Sequence, residues 1–187
     1  MTALSALWLP ILVSSVLVFA ASSVIHMVFS SWHKPDFAKV PDEARMREAL
    51  RPLAIPPGDY MFPNCANMEE MKTPEFKSKM SEGPVMIFTM MPNGMPNMGK
   101  LLGLWFVYTV AVSIVSAYVA SRGLAPGAPY LRVFQLAGAT AFIAHAGALW
   151  PMSIWYSRSL GTTIRSTIDG LIYALLTAGV FGWLWPH

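Results

Sequence analysis

Charge is missing from most of this chain. No Lys, Arg, Asp or Glu occurs before Lys34, and a single acid, Asp169, stands beyond Glu82. Charged residues fill 12% of the 187 positions and apolar ones 55%, whereas soluble domains carry about 25% charge. An ordinary soluble protein is excluded, because uncharged blocks making up more than half the chain leave too little polar surface. Cysteine is nearly absent too. Cys65 stands alone, so an intrachain disulfide is impossible. Also lacking are a G-x-S-x-G elbow, a phosphate-cradling G-x-x-x-x-G-K-[ST], a dinucleotide fingerprint, an H-E-x-x-H and paired C-x-x-C. No catalytic residue is assigned, and an enzyme is the less favoured reading. No basic residue precedes the first apolar block, which is longer than the 7–15 residues of a signal-peptide core. Leu4–Phe29 is therefore read as a retained helix.

What is present is four apolar blocks and one polar loop. A helix needs about 20 apolar residues to cross a hydrocarbon core. The blocks predict spans at about 4–29, 101–121, 132–152 and 166–185, with a polar loop over 30–100. The expected fold is an all-α membrane protein, one integral domain of four transmembrane helices with an extramembrane loop of about 70 residues. The net charge of +3 does not imply nucleic acid. Lys34–Lys100 holds nine bases against nine acids, which leaves no basic stripe for phosphates. The lipid bilayer is the implied partner.

Lys34, Lys39, Arg45, Arg47, Lys100, Arg158 and Arg165 flank the membrane on the loop side, and only Arg122 and Arg132 on the other. The positive-inside rule then makes the loop cytoplasmic and the termini external. Trp8, Tyr118, Tyr130, Trp183 and Trp185 fall at the terminal side; Trp32, Trp105, Trp150, Trp155 and Tyr156 fall at the loop side. Amphipathic rings favour both interfaces.

Within the loop, Pro41–Arg51 predicts a short helix with Asp42 and Glu43 in its first turn. Thr73-Pro74 is a second start signal, and Gly83-Pro84 its stop. Val85–Met91 is an apolar run that reads either as a strand pairing with Tyr60–Phe62 or as a segment lying in the membrane interface. Small residues mark helix interfaces in lipid. Gly138, Ala141, Ala144 and Ala148, then Ser113, Ser116, Ala117 and Ala120, then Gly170, Ala174 and Ala178 form such stripes.

Ionisable groups inside spans are rare and costly, and point to function by default. His26, His145 and Asp169 qualify, all in the loop-side half, and as a set could bind a transition metal or pass protons. The plainer reading makes the histidines packing residues and pairs Asp169 with Arg165, four residues earlier. Methionine is the other oddity, at thirteen copies. Met86, Met90, Met91, Met95 and Met98 form a segment suited either to a soft metal such as Cu(I) or to docking. No cofactor is assigned from the sequence, and copper or another transition metal is the one class with any support.

Pro56-Pro-Gly-Asp-Tyr-Met-Phe-Pro63 and the tail from Asp169 through Gly-Leu-Ile-Tyr-Ala to Trp185-Pro186 resemble a group of uncharacterised small bacterial four-span inner-membrane proteins. The resemblance implies a multi-pass inner-membrane protein and transfers no functional residue. From sequence, the leading role is a non-enzymatic accessory or assembly protein that docks a protein partner or a second copy. The rival is a small transporter or metal-handling protein using His26, His145 and Asp169, with the Met86–Met98 run as its entry platform. A membrane enzyme acting on lipid comes third.

Overall fold

The computed structural model describes all residues, Met1–His187, as mostly helix with one two-stranded sheet. Four helices are long and apolar enough to cross a membrane: Leu4–Val28, Met98–Gly123, Tyr130–Tyr156 and Leu160–Trp183. This is consistent with a multi-pass membrane protein. The chain divides into two compact units, Met1–Ala38 with Pro96–His187, and Lys39–Met95.

In the first unit, the opening span has α1 (Trp8–Ser23) at its centre and ends in a π turn at Val24–Val28. Helix α5 (Met98–Gly123) starts where the Asn97 side chain accepts the Lys100 backbone N–H, a standard N-cap. Three residues, Met98, Gly99 and Lys100, therefore precede the boundary expected from charge. The third span joins α6 (Tyr130–Ala146), a tight turn at Gly147–Leu149 and α7 (Trp150–Tyr156). Helix α8 (Leu160–Trp183) begins six residues earlier than expected, since Thr162, Thr163, Arg165 and Ser166 are already helical. Asp169 accordingly lies nine residues, roughly 14 Å, along its helix, rather than one turn in. Both shifts have one cause: charge locates the apolar stretch, whereas the helix itself starts earlier, at the Asn97 cap in α5 and through an uncapped hydroxyl-rich first turn in α8.

The four spans close into a ring, α1 on α5, α5 on α6, α6 on α8 and α8 on α1, with α6–α8 the most extensive contact. Small residues make that seam. Ala137, Ala141, Ala174 and Ala178 are buried, and a Cβ added at Gly138 would lie 2.8 Å from the Ala178 Cβ. Hydroxyls line the α1–α5 seam. Ser14 donates to the Pro10 carbonyl at 2.6 Å and its Oγ lies 3.1 Å from Ser113 Oγ; Ser15 donates to the Ile11 carbonyl at 2.6 Å, and Thr109 to the Phe106 carbonyl at 2.7 Å. Leu12, Val16, Val107, Val115, Ile143, Ile168 and Leu175 face outward. Polar groups inside with aliphatic ones outside is the arrangement lipid requires.

The terminal end of the ring is plugged by Leu7, Ala117, Val133, Phe181 and Trp185. Trp185 is buried and donates its indole N–H to the Ala125 carbonyl at 3.0 Å, so it is a core residue rather than an interface anchor. Trp8 and Trp183 remain exposed at that end.

In the second unit, α2 (Glu43–Leu50) is capped by Asp42, α3 (Met68–Lys72) by Asn67 and α4 (Pro74–Glu82) by Thr73. Gly83 ends α4 at φ 66°, a conformation that favours glycine. Strand β1 (Gly58–Phe62) pairs antiparallel with β2 (Met86–Met90), Tyr60 opposite Phe88 with their rings 5.3 Å apart. The apolar run is a strand.

Candidate functional site

The loop-side end of the four-span ring holds a cavity of about 490 Å³. Its chemistry is set up just after the first span. There the chain makes two tight helical turns, Ser30–Trp32 and Lys34–Asp36, which bring Trp32, His33 and Asp36 back onto α8. Helix α8 contributes Arg165, Asp169 and Tyr173, spaced four apart and so on one face.

Asp169 is 5% exposed and its two oxygens have different neighbours. Oδ1 accepts the Trp32 indole N–H at 3.1 Å, and Oδ2 lies 2.8 Å from His33 Nε2. That last contact has ion-pair distance without hydrogen-bond alignment, so Nε2 is buried and unsatisfied. The other nitrogen, His33 Nδ1, donates to Asp36 Oδ2 at 2.7 Å. Arg165 then clamps Asp36, with Nε donating to Oδ1 at 2.7 Å and a terminal guanidinium nitrogen to the same atom. Burial acts to raise the Asp36 carboxyl, but the hydrogen bonds from His33 and Arg165 and the Arg165 charge outweigh it. Its pKa is held below the ordinary 3.8.

His26 completes the group. Its Nδ1 donates to the Ser22 carbonyl at 2.9 Å, which leaves Nε2 free, and its ring stacks on His33 at 4.5 Å with planes 11° apart. One ligand atom from each of His26, His33 and Asp169 lies within 4.8 Å of the other two. His145 lines the same cavity but belongs to another cluster, ringed by Tyr173 at 5.3 Å, Tyr108 at 5.7 Å and Trp105 at 6.4 Å.

No protein-family model, curated protein or solved structure matches the chain.

Of the three residues expected to act together, His26 and Asp169 meet and His145 stands beside them. Asp169 pairs with His33 and Trp32, not with Arg165, because Arg165 is committed to Asp36. Reading the sequence missed His33, Trp32, Asp36 and Tyr173. The His-x-x-Asp spacing at 33 and 36 and the four-residue interval through Arg165, Asp169 and Tyr173 were the available signals. The methionine segment splits. Met86 and Met90 are half-buried on one face of β2, whereas Met91 and Met95 are exposed. Met98 opens α5 and shares an apolar cavity with His26 and Met27. Cys65 is half-buried in the second unit.

Proposed function

We propose that this is a multi-pass membrane protein that handles a divalent transition metal, held by His26, His33 and Asp169 at the loop-side end of its four spans. One observation carries this reading. The far atom of each ligand is already tied, His26 Nδ1 to a carbonyl, His33 Nδ1 to a carboxylate and Asp169 Oδ1 to an indole. Such outer partners set the tautomer and aim of metal ligands. Here they leave three free donor atoms in one small space.

Electrostatics point the same way. With the proton of His33 committed to Asp36, a bare lone pair on Nε2 would face a carboxylate oxygen at 2.8 Å. A positive charge between them removes that repulsion. Two imidazoles and a carboxylate suit zinc, iron or copper in their divalent states, and three protein ligands leave a coordination position open. At metal–nitrogen distances of about 2.0–2.1 Å, two ligand atoms on one tetrahedral ion sit roughly 3.3 Å apart. The widest donor separation, at most 4.8 Å, therefore closes by no more than about 1.5 Å. The stacked rings must tilt for their lone pairs to converge, and His26, exposed at the end of its span, is the ring with room to turn.

Metal analysis and a Co²⁺ titration of the detergent-purified protein test the assignment. About one ion per chain is expected, with affinity falling more than tenfold in Asp169→Asn and His33→Ala and little changed in His145→Ala. Equal binding by Asp169→Asn, His33→Ala and the parent would leave the network as a plain ion pair with a proton on Nε2.

The accessory or assembly reading applies to the second unit, where Met61, Phe62, Met91 and Met95 are all exposed. We assign the loop to the cytoplasm and the termini to the outside from the charge asymmetry. A bacterial inner membrane follows from the resemblance of the proline-rich loop string and the tail.

A further inference from the structure

The metal centre proposed above opens onto the cavity of about 490 Å³, and the donors lining that cavity fall into two sets. Trp105 and Tyr108 are satisfied within the protein: the indole N–H donates to Ser22 Oγ at 2.7 Å and the Tyr108 hydroxyl to the Ala144 carbonyl at 2.8 Å. Tyr173, His145 and Arg158 are not. The Tyr173 hydroxyl is buried with no partner, on a residue 4% exposed. Its aromatic neighbours hold the His145 ring, yet neither ring nitrogen makes a hydrogen bond within the chain. Arg158, on the short connection between α7 and α8, lines the cavity without an ion pair or a side-chain hydrogen bond. A buried hydroxyl is normally paired, so the orphaned Tyr173 O–H, with the half-buried His145 and Arg158 facing the same space, describes the complement of an acceptor-rich ligand.

The charge count gives the sign of that ligand. Asp36 and Asp169 are balanced by Arg165 and Arg158. A divalent ion would leave the cavity two units positive in a low-dielectric setting, where uncompensated charge is costly. We infer that the cavity binds an oxyanion, a carboxylate or phosphate group, together with the metal, and that Arg158, Tyr173 and His145 are its protein contacts. This rests on the metal assignment and extends it to a ligand class. The same chemistry is carried by a free anion or by an anionic lipid headgroup. The two groups of ligands are coupled: each raises the affinity for the other by the same factor.

The test uses the whole protein loaded with Co²⁺ in an uncharged detergent, its visible spectrum followed as inorganic phosphate is added. A parallel arm places it in phosphatidylcholine nanodiscs with and without phosphatidic acid. A saturable spectral change and a severalfold rise in Co²⁺ affinity are expected in at least one arm, and the responding arm identifies a soluble or lipid-borne anion. Without anion, the shape-conserving Tyr173→Phe should bind Co²⁺ as the parent does and Arg158→Gln at least as tightly, because it removes one positive charge, while the response of both to anion weakens at least tenfold. If the parent binds Co²⁺ and neither arm responds, or if both variants respond as the parent does, the anion site is wrong and the metal centre stands. Failure of the parent to bind Co²⁺ at all overturns both.

Discussion

Gly138→Ala isolates what holds the spans together. A methyl group at position 138 would meet the Ala178 Cβ at 2.8 Å, whereas ordinary contact begins near 3.4 Å. The obstacle is another Cβ on a packed helix, not the end of a flexible chain, so α6 and α8 must separate by more than half an ångström. Overpacking of this kind costs about 1–3 kcal/mol. Alanine recovers roughly 0.8–1.0 kcal/mol over glycine through helix propensity, so a net loss of up to about 2 kcal/mol is expected. Gly103 is the internal control. It lies in α5 with nothing within 4 Å of a Cβ placed there, so Gly103→Ala should be neutral or slightly stabilising. Reversible unfolding in mixed detergent micelles, followed by circular dichroism, measures both. Equal stability of the two variants would refute close approach of α6 and α8 as the source of cohesion.

Acid sensitivity is expected from Asp36. A carboxylate whose folded pKa lies below its unfolded value adds stability above the unfolded value and loses it as pH falls through the folded one. Below about pH 4 the parent should lose stability more steeply than Asp36→Asn; parallel acid melts of the two would discount the Arg165 clamp. Orientation is checked at Cys65. With the loop cytoplasmic, a membrane-impermeant thiol reagent should leave it unlabelled in intact cells and modify it after lysis; labelling in intact cells would reverse the topology.

The spans were readable because water and hydrocarbon sort charge so sharply that Lys34, Lys100, Arg122 and Arg158 bracket them almost unaided. Their ends were less so. Asn97 and Thr162 belong to helices that charge counting cuts short, because caps and polar first turns look like loop. The spacing of Gly138, Ala141, Ala174 and Ala178 marked packing faces without saying that α6 and α8 would share them, and a strand pairing of Val85–Met91 with Tyr60–Phe62 was one of two readings the apolar run allowed. The site was half visible. His26 and Asp169 declared themselves as ionisable groups in apolar blocks. His33 and Asp36 did not, since they sit among the charges of the loop and only two tight turns after the first span return them to α8. Nor does any sequence pattern say that His145 would be flanked by Tyr108, Trp105 and Tyr173, beside the His26–His33 pair rather than in it.

The hydroxyl-lined joint between the first span and α5 bears on movement. Ser14, Ser15 and Thr109 each bond a carbonyl of their own helix, and the cross-link from Ser14 to Ser113 is additional. Sliding or rolling the first span therefore leaves these three hydroxyls satisfied, unlike parting the interlocked glycine and alanine surfaces of α6 and α8, and the donor it would disturb is the Trp105 indole N–H on Ser22 Oγ. The first span carries His26 at its far end, so occupancy of the histidine pair and the tilt of that helix should rise and fall together, with the Trp105–Ser22 bond as the tie that must give.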